Sequence, residues 1–323
     1  MSARARTALI VAAIAVAAAL VVVGAAVLTA EEEPEAATAT SAPTPRKGAP
    51  PLSLDFGVRD DEEANDLRRA AVLYDDGRRQ QAAAIFGRYD SLEAKLGSAF
   101  AAWPESEDRV EQLGALYPRS ALVQLHVGLA RFWAGKGGEL AAWREARDVE
   151  PDTPYAVRAD DLLHPDFAPG LPGFVPSFDT SLERLQGSSR EEQLDTLAAD
   201  KTARGRILLG IALQRLGRPV SARRAFGEAV ERAPNDVDAL VADAVGRYDK
   251  GNPSAAFSRL GPLSRRFPKA AVVRFHLGLL LLWQRDVQEA RRQLELAREA
   301  EPGSRIAGQA TRFLDAIRNA GTS

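Results

Sequence analysis

Apolar positions follow three regimes along this 323-residue chain. Residues 8–30 form an apolar run with no charge, residues 31–58 carry almost nothing to bury, and the body beyond them places small and apolar residues at positions that recur with a long period. Pro234, Pro268 and Pro302 stand 34 residues apart, and the same step carries Ala222 to Ala256 to Ala290, Phe226 to Leu260 to Leu294, and Gly217 to Gly251. A fixed period of that length predicts stacked helical units at 203–236, 237–270 and 271–304. Gly210, Gly278, Ala222 and Ala290 are small enough to let paired helices approach, and Leu213, Phe226, Leu281 and Leu294 fill the seam around them. Gly217 and Gly251 suit a left-handed position after the first helix, and each Pro closes the second. One helix pair cannot bury its own apolar face; three of them, capped by a helix over 304–319 carrying Ile306, Ala310, Phe313, Leu314 and Ile317, can.

These positions resemble the tetratricopeptide (TPR) family. Leu209, Gly210, Leu213, Ala222, Phe226, Ala229 and Pro234 match its pattern, as do Leu277, Gly278, Leu281, Ala290, Leu294, Ala297 and Pro302. The middle unit departs from it. Asp243 and Arg247 stand where the family expects apolar residues; either they pair along one helix, or the helix is rotated so that Val241, Ala244, Val245 and Tyr248 face inward.

A second match joins the halves of the body at an offset of 150: Tyr117, Pro118, His126, Gly128 and Trp133 parallel Phe267, Pro268, His276, Gly278 and Trp283. The N-terminal half, 59–163, is therefore a degenerate array related to the C-terminal one at 190–323. Its first hairpin shows in Ala70, Ala71, Tyr74, Gly77, Ala82 and Phe86, followed by helices predicted over 92–103 and 105–116. Residues 164–189 join the arrays. The stretch 164–181, HPDFAPGLPGFVPSFDTS, holds too many Pro and Gly for a helix. It is either a strap across the helices or a functional loop anchored by Phe167, Phe174 and Phe178.

Residues 8–30 would span roughly 35 Å as a helix, enough for a bilayer core. Arg4 and Arg6 precede the run and Glu31, Glu32, Glu33 and Glu35 follow it, so the expectation is a transmembrane helix with residues 1–7 cytoplasmic and the body outside. A cleaved secretory signal is the rival reading, and it too exports the body. Residues 31–58, rich in Pro, Ala, Thr and Ser, are expected to be a disordered spacer. The predicted fold is thus all-α: a TPR-like α-solenoid in two arrays behind one transmembrane helix.

Composition removes several chemistries. The absence of Cys excludes disulfides, thiolate metal sites and thiol nucleophiles. His126, His164 and His276 are the only histidines; the equivalence of two of them assigns these to the repeat, and no metal-ligand spacing accompanies them. Asp55-Phe56-Gly57 lacks every companion motif of a kinase, and Gly135-Lys136-Gly137-Gly138 is a hairpin turn lacking phosphate-loop spacing. No catalytic residue, metal or cofactor is expected. Charge is uneven: residues 201–323 carry 22 Lys and Arg against 12 Asp and Glu, and residues 1–200 carry 20 against 32. The basic half could attract the acidic half, an acidic partner or an anionic envelope polymer, or simply be solvated; export disfavours nucleic acid.

The TPR resemblance implies a partner-binding groove lined by the first helix of each hairpin: Arg204, Ile207, Ile211, Gln214, Arg215, Val241, Val245, Tyr248, Phe275, Leu279, Leu282 and Trp283. A stripe this apolar calls for a protein or peptide ligand, or for filling by the chain's own joint or N-terminal half. Two functions follow. One is a non-enzymatic interaction scaffold. The other is an envelope enzyme or polysaccharide-binding factor with a site between the arrays, using Trp133, Trp283 or the joint phenylalanines as stacking surfaces.

Overall fold

The computed structural model describes residues 46–180 and 188–321, which form fifteen helices and no strands among them. The predicted transmembrane segment and residues 31–45 of the spacer lie outside the described residues. Among those described, no helix is long and apolar enough to cross a membrane. The chain divides into two compact units, one made of residues 46–54 with 61–149 and the other of 55–60 with 150–321.

The first unit contains α1 (Glu62–Asp75), α2 (Arg79–Phe86), α3 (Leu92–Ala101), α4 (Glu107–Leu116), α5 (Ala121–Ala134) and α6 (Glu139–Val149). Successive helices pair as hairpins, α1 with α2 and α5 with α6 most closely. Side-chain caps start them: Asp61 accepts from the Ala64 N–H, Ser91 from Ala94 and Ser120 from Val123, each satisfying a donor that the first turn leaves unpaired. The close approach of α5 and α6 depends on Gly128, where an added Cβ would lie 2.3 Å from the Trp143 indole nitrogen.

The second unit contains α7 (Pro154–Leu163), α8 (Arg190–Ala199), α9 (Ala203–Arg215), α10 (Pro219–Arg232), α11 (Val237–Val245), α12 (Ser254–Arg266), α13 (Ala271–Trp283), α14 (Val287–Ala300) and α15 (Arg305–Gly321). Hairpins α9–α10, α11–α12 and α13–α14 are the three 34-residue repeats, and α15 packs on α14 as the expected cap. Ile306, Ala310, Phe313, Leu314 and Ile317 of that cap are all buried. At Gly210 an added Cβ would lie 2.2 Å from the Phe226 ring, and at Gly278 it would lie 2.9 Å from Leu294 and 3.1 Å from the Ala290 carbonyl oxygen. The small residues of the repeat are therefore required by contact across each hairpin.

Three features differ from the sequence expectations. The boundary between arrays falls before α7: Asp152 accepts from the Ser221 N–H at 2.9 Å and from Arg218 at 3.0 Å, and Asp161 pairs with the buried Lys250 ammonium, so α7 belongs with the helices after it. Gly217 is left-handed (φ +63°), but Gly251 is not. There α11 ends early, and the Asp249 carboxylate accepts the Gly251 N–H at 2.7 Å, an Asx-type turn that needs no positive φ. The left-handed position recurs instead at Arg285 (φ +59°), an unusual place for a side chain with a Cβ. Finally, the two alternatives for the middle repeat both hold. Val241, Ala244, Val245 and Tyr248 are buried, and so is Asp243, whose carboxylate meets Arg247 at 2.9 Å and Arg259 of α12 at 3.3 Å.

Candidate functional site

In each unit the groove lined by first helices holds an extended segment of the chain itself. In the second unit this strap is the Pro-rich joint. The Val175 N–H donates to His276 Nε2 at 3.0 Å, the Phe174 N–H to the Gln214 side-chain oxygen at 2.9 Å, and the Ala168 N–H to the Trp283 carbonyl at 3.1 Å. In return the Trp283 indole N–H donates to the Gly170 carbonyl at 3.1 Å and the Gln214 amide to the Pro172 carbonyl at 3.4 Å. Pro172, Phe174 and Pro176 are buried while Gly173 and Ser177 are exposed, the period-two alternation of an extended chain lying on a surface. The Phe174 ring stacks on the His276 imidazole with centroids 4.9 Å apart.

Charged side chains tie down the rest of this strap. Asp238 accepts from both the N–H and the hydroxyl of Ser177, at 2.7 and 2.5 Å. Burial raises its carboxyl above the usual carboxylate range, and the two Ser177 bonds pull the other way. Arg305 donates to the Phe178 carbonyl at 2.8 Å, and Arg204 to the Asp179 carbonyl at 2.8 Å while its guanidinium lies 4.3 Å over the Phe178 ring. Arg285 donates to the Pro165 carbonyl at 2.8 Å. Part of the Arg excess of the C-terminal half is thus committed to backbone carbonyls of its own chain.

The first unit repeats the arrangement with residues 46–54, which the composition had assigned to a disordered spacer. The Ser53 N–H donates to His126 Nε2 at 3.1 Å, the Arg46 N–H donates to the Trp133 carbonyl at 2.7 Å, and the Tyr74 hydroxyl donates to the Pro50 carbonyl. Pro50 and Leu52 are buried, and the Arg46 guanidinium lies 4.0 Å over the Phe132 ring. Composition misleads here because a segment poor in apolar residues still orders when its backbone groups find partners in a groove that is already built.

The two histidines have the same environment. Each Nδ1 lies 2.7 Å from the carbonyl four residues earlier, Leu122 for His126 and Val272 for His276. A carbonyl only accepts, so each Nδ1 carries the proton and each Nε2 is the bare acceptor that the strap N–H requires. Both rings are fully buried, and that burial pushes each imidazole down to about 4, against the weaker opposing pull of the carbonyl bond. Sequence equivalence identified these residues as part of the repeat; their work in holding the straps became visible only in three dimensions.

Of the predicted groove residues, Ile207, Ile211, Val241, Val245, Tyr248, Phe275, Leu279, Leu282 and Trp283 are buried, Gln214 is half-buried, and Arg204 and Arg215 are exposed. Arg204, Gln214 and Trp283 bond the strap directly. The strap residues 46–54, Tyr74, Asp238 and Arg305 were missed. A signal for the first strap exists: RKGAPPLSLDF at 46–56 aligns with APGLPGFVPSF at 168–178 at an offset of 122, matching Gly48 to Gly170, Pro50 to Pro172 and Phe56 to Phe178.

Catalytic chemistry finds no assembly among the described residues. No group of three or more His, Asp and Glu there could hold a metal ion. The buried carboxylates are spent singly: Asp66 accepts from Tyr89 at 2.7 Å and pairs with Arg69 and Arg88, Asp238 holds Ser177, and Asp243 pairs with two arginines. A hollow of about 330 Å³ in the first unit, beside Gly114, Pro118 and Gln124, is edged by the Glu111–Arg131 ion pair, which is closed on itself at 2.8 Å.

The helical pairs, their 34-residue period and the small-residue seams define a TPR-like, all-α repeat protein. No family model matches the chain, and no curated protein matches it. Among solved structures it is similar to YrrB, described as a TPR protein with an unusual peptide-binding site, at 15% identity over 78% of this chain and 92% of that one, with a TM-score of 0.28. It is also similar to the APC/C hetero-tetramer Cut9-Hcn1, at 15% identity over 78% of this chain and a TM-score of 0.31, and to a monomeric mutant of IFIT1 with m7Gppp-AAAA, at 13% identity over 82% and a TM-score of 0.25. The chain spans 55% and 65% of the lengths of these last two. Superpositions this loose carry no argument about function.

Proposed function

We propose that this protein is a non-enzymatic scaffold that binds proteins or peptides in extended form, held at a membrane by residues 8–30 with its helical body outside the cytoplasm. The observation that carries the binding role is that both grooves hold an extended peptide, through the same buried histidine and through main-chain hydrogen bonds. A surface that binds its own chain in this way has the chemistry to bind another. The membrane placement is supported by the uncharged run of 23 residues with Arg4 and Arg6 before it and four Glu closely after it.

Crosslinking of the membrane-bound protein, with identification of the captured neighbours, tests the scaffold role. A reproducible set of protein partners, absent when the helical body is deleted, is expected; capture of none would refute it. Protease added to intact cells tests the placement: the body should be digested while residues 1–7 stay protected.

A further inference from the structure

We infer that the groove of the first unit is an exchangeable peptide site, and that its ligand is an extended segment of a partner protein with the pattern Gly-x-Pro-x-(Leu or Phe). This deepens the scaffold reading and rests on it.

The argument begins with what the two straps share. They have diverged at most positions, yet Gly48 and Gly170 are both left-handed (φ +83° and +71°), Pro50 and Pro172 are both buried with a carbonyl bonded to the first helix of the first hairpin, and Leu52 and Phe174 are both buried two residues later. One residue further on, Ser53 and Val175 both give their N–H to a histidine. The retained positions coincide with the contacts. Gly supplies a backbone turn that other residues resist, Pro preorganises the extended chain without needing a donor partner, and the apolar residue fills the groove. The histidine reads a main-chain N–H, which any residue except Pro supplies, so Ser and Val serve equally.

The first groove is also the less completely used. Trp283 gives its indole N–H to the Gly170 carbonyl, whereas the equivalent Trp133 indole N–H is buried without a hydrogen-bond partner. A buried donor left unpaired carries a desolvation cost that a ligand carbonyl would remove. The Gln214 hold on the Phe174 N–H has no counterpart among the hydrogen bonds of the equivalent Leu52. The residues equivalent to Ser177 and Phe178 are Asp55 and Phe56, beyond the first strap, where the Tyr155 hydroxyl accepts the Asp55 N–H at 3.0 Å and donates to its carbonyl at 2.9 Å. A peptide that follows the second strap can therefore make a bond in the first groove that the resident strap does not make.

The test uses the full-length protein in detergent and a fluorescent synthetic peptide with the sequence of residues 166–178, DFAPGLPGFVPSF. Saturable binding by anisotropy is expected, tightening about tenfold in Ser53→Pro, which removes the N–H that holds the resident strap. Methylating the peptide at its Val175 nitrogen should weaken binding about tenfold, with no change to the protein. Trp133→Phe, which deletes the indole donor while leaving an aromatic ring of smaller size, should weaken it several-fold while Trp283→Phe, with the same loss of ring volume, does not. Equal binding of the methylated and parent peptides, no response to Ser53→Pro, or no response to Trp133→Phe would each overturn the inference. Absence of peptide binding alongside successful partner capture would end this inference and leave the scaffold role standing.

Discussion

The two units hold their straps by the same histidine contact but to different degrees. Over residues 168–176, which match 46–54, the second strap is engaged by Trp283, Gln214, His276 and Arg305, and beyond that stretch by Asp238 and Arg204. In the first it is engaged by the Trp133 carbonyl, Tyr74 and His126, and one buried indole donor is left over. What the straps share defines the contact that the fold requires; what the second adds sets how firmly the groove is closed. A duplicated element thus separates recognition from retention within one chain.

The largest expected effect treats the units alike. Each strap needs a neutral imidazole, and the folded rings take a proton only near pH 4, while an unfolded histidine does so near 6.5. The unfolded state therefore binds more protons between these values. Stability is full above about pH 6.5, falls as pH drops towards 4 and levels off below, by on the order of 3 kcal/mol per histidine. Urea unfolding across that range should show the slope, and His126→Gln should remove it from the first unit alone. Equal slopes in wild type and variant would show that the two imidazoles do not carry the effect.

Next come the hairpin seams, where the units should again match. Gly128→Ala drives a methyl against Trp143 and Gly210→Ala drives one against Phe226. Each should cost about 2 kcal/mol by overpacking, read as a lowered urea midpoint; two neutral outcomes would mean that the hairpins have room for a methyl at these seams.

The straps should then break the symmetry. Asp238→Ala removes both acceptors of Ser177 and should cost about 2 kcal/mol in the second unit, with the first unit's transition unmoved. Trp283→Phe and Trp133→Phe lose the same ring volume, but only the first also loses a bond, to Gly170, so it should cost about 1 kcal/mol more than the second. Calorimetry of the pair is decisive: similar losses would erase the distinction between a tight strap and a loose one.

Much of the helical architecture was legible beforehand, because it is written in residue size. Gly210, Ala222 and Phe226 recur at a fixed step since each hairpin must solve the same packing problem. The cap helix was legible from its apolar stripe, and the second strap from its prolines. The first strap was not. An extended segment has no period of its own beyond alternation, and RKGAPPLSL buries only Pro50 and Leu52 on one side, too little to stand out from a spacer. Its partners, Tyr74 and His126, lie 24 and 73 residues away and look like ordinary repeat residues until the chain is folded. Arg285 shows the converse, a glycine position of the repeat filled by a residue that trades backbone comfort for a bond to the Pro165 carbonyl. The TPR resemblance implies a groove that includes three residues bonding the strap, Arg204, Gln214 and Trp283, but not Asp238, whose neighbours along the helix give no sign that it faces Ser177.

The central claim is that two extended segments lie in the two grooves through main-chain bonds to buried histidines, the first more loosely than the second. Amide hydrogen exchange at Ser53 and Val175 in the intact protein tests it most directly. Both amides should be protected, with Ser53 exchanging about tenfold faster or more, in keeping with the loss of one or two hydrogen bonds. A Ser53 amide exchanging at the rate of an unstructured chain, or one protected as strongly as Val175, would contradict it.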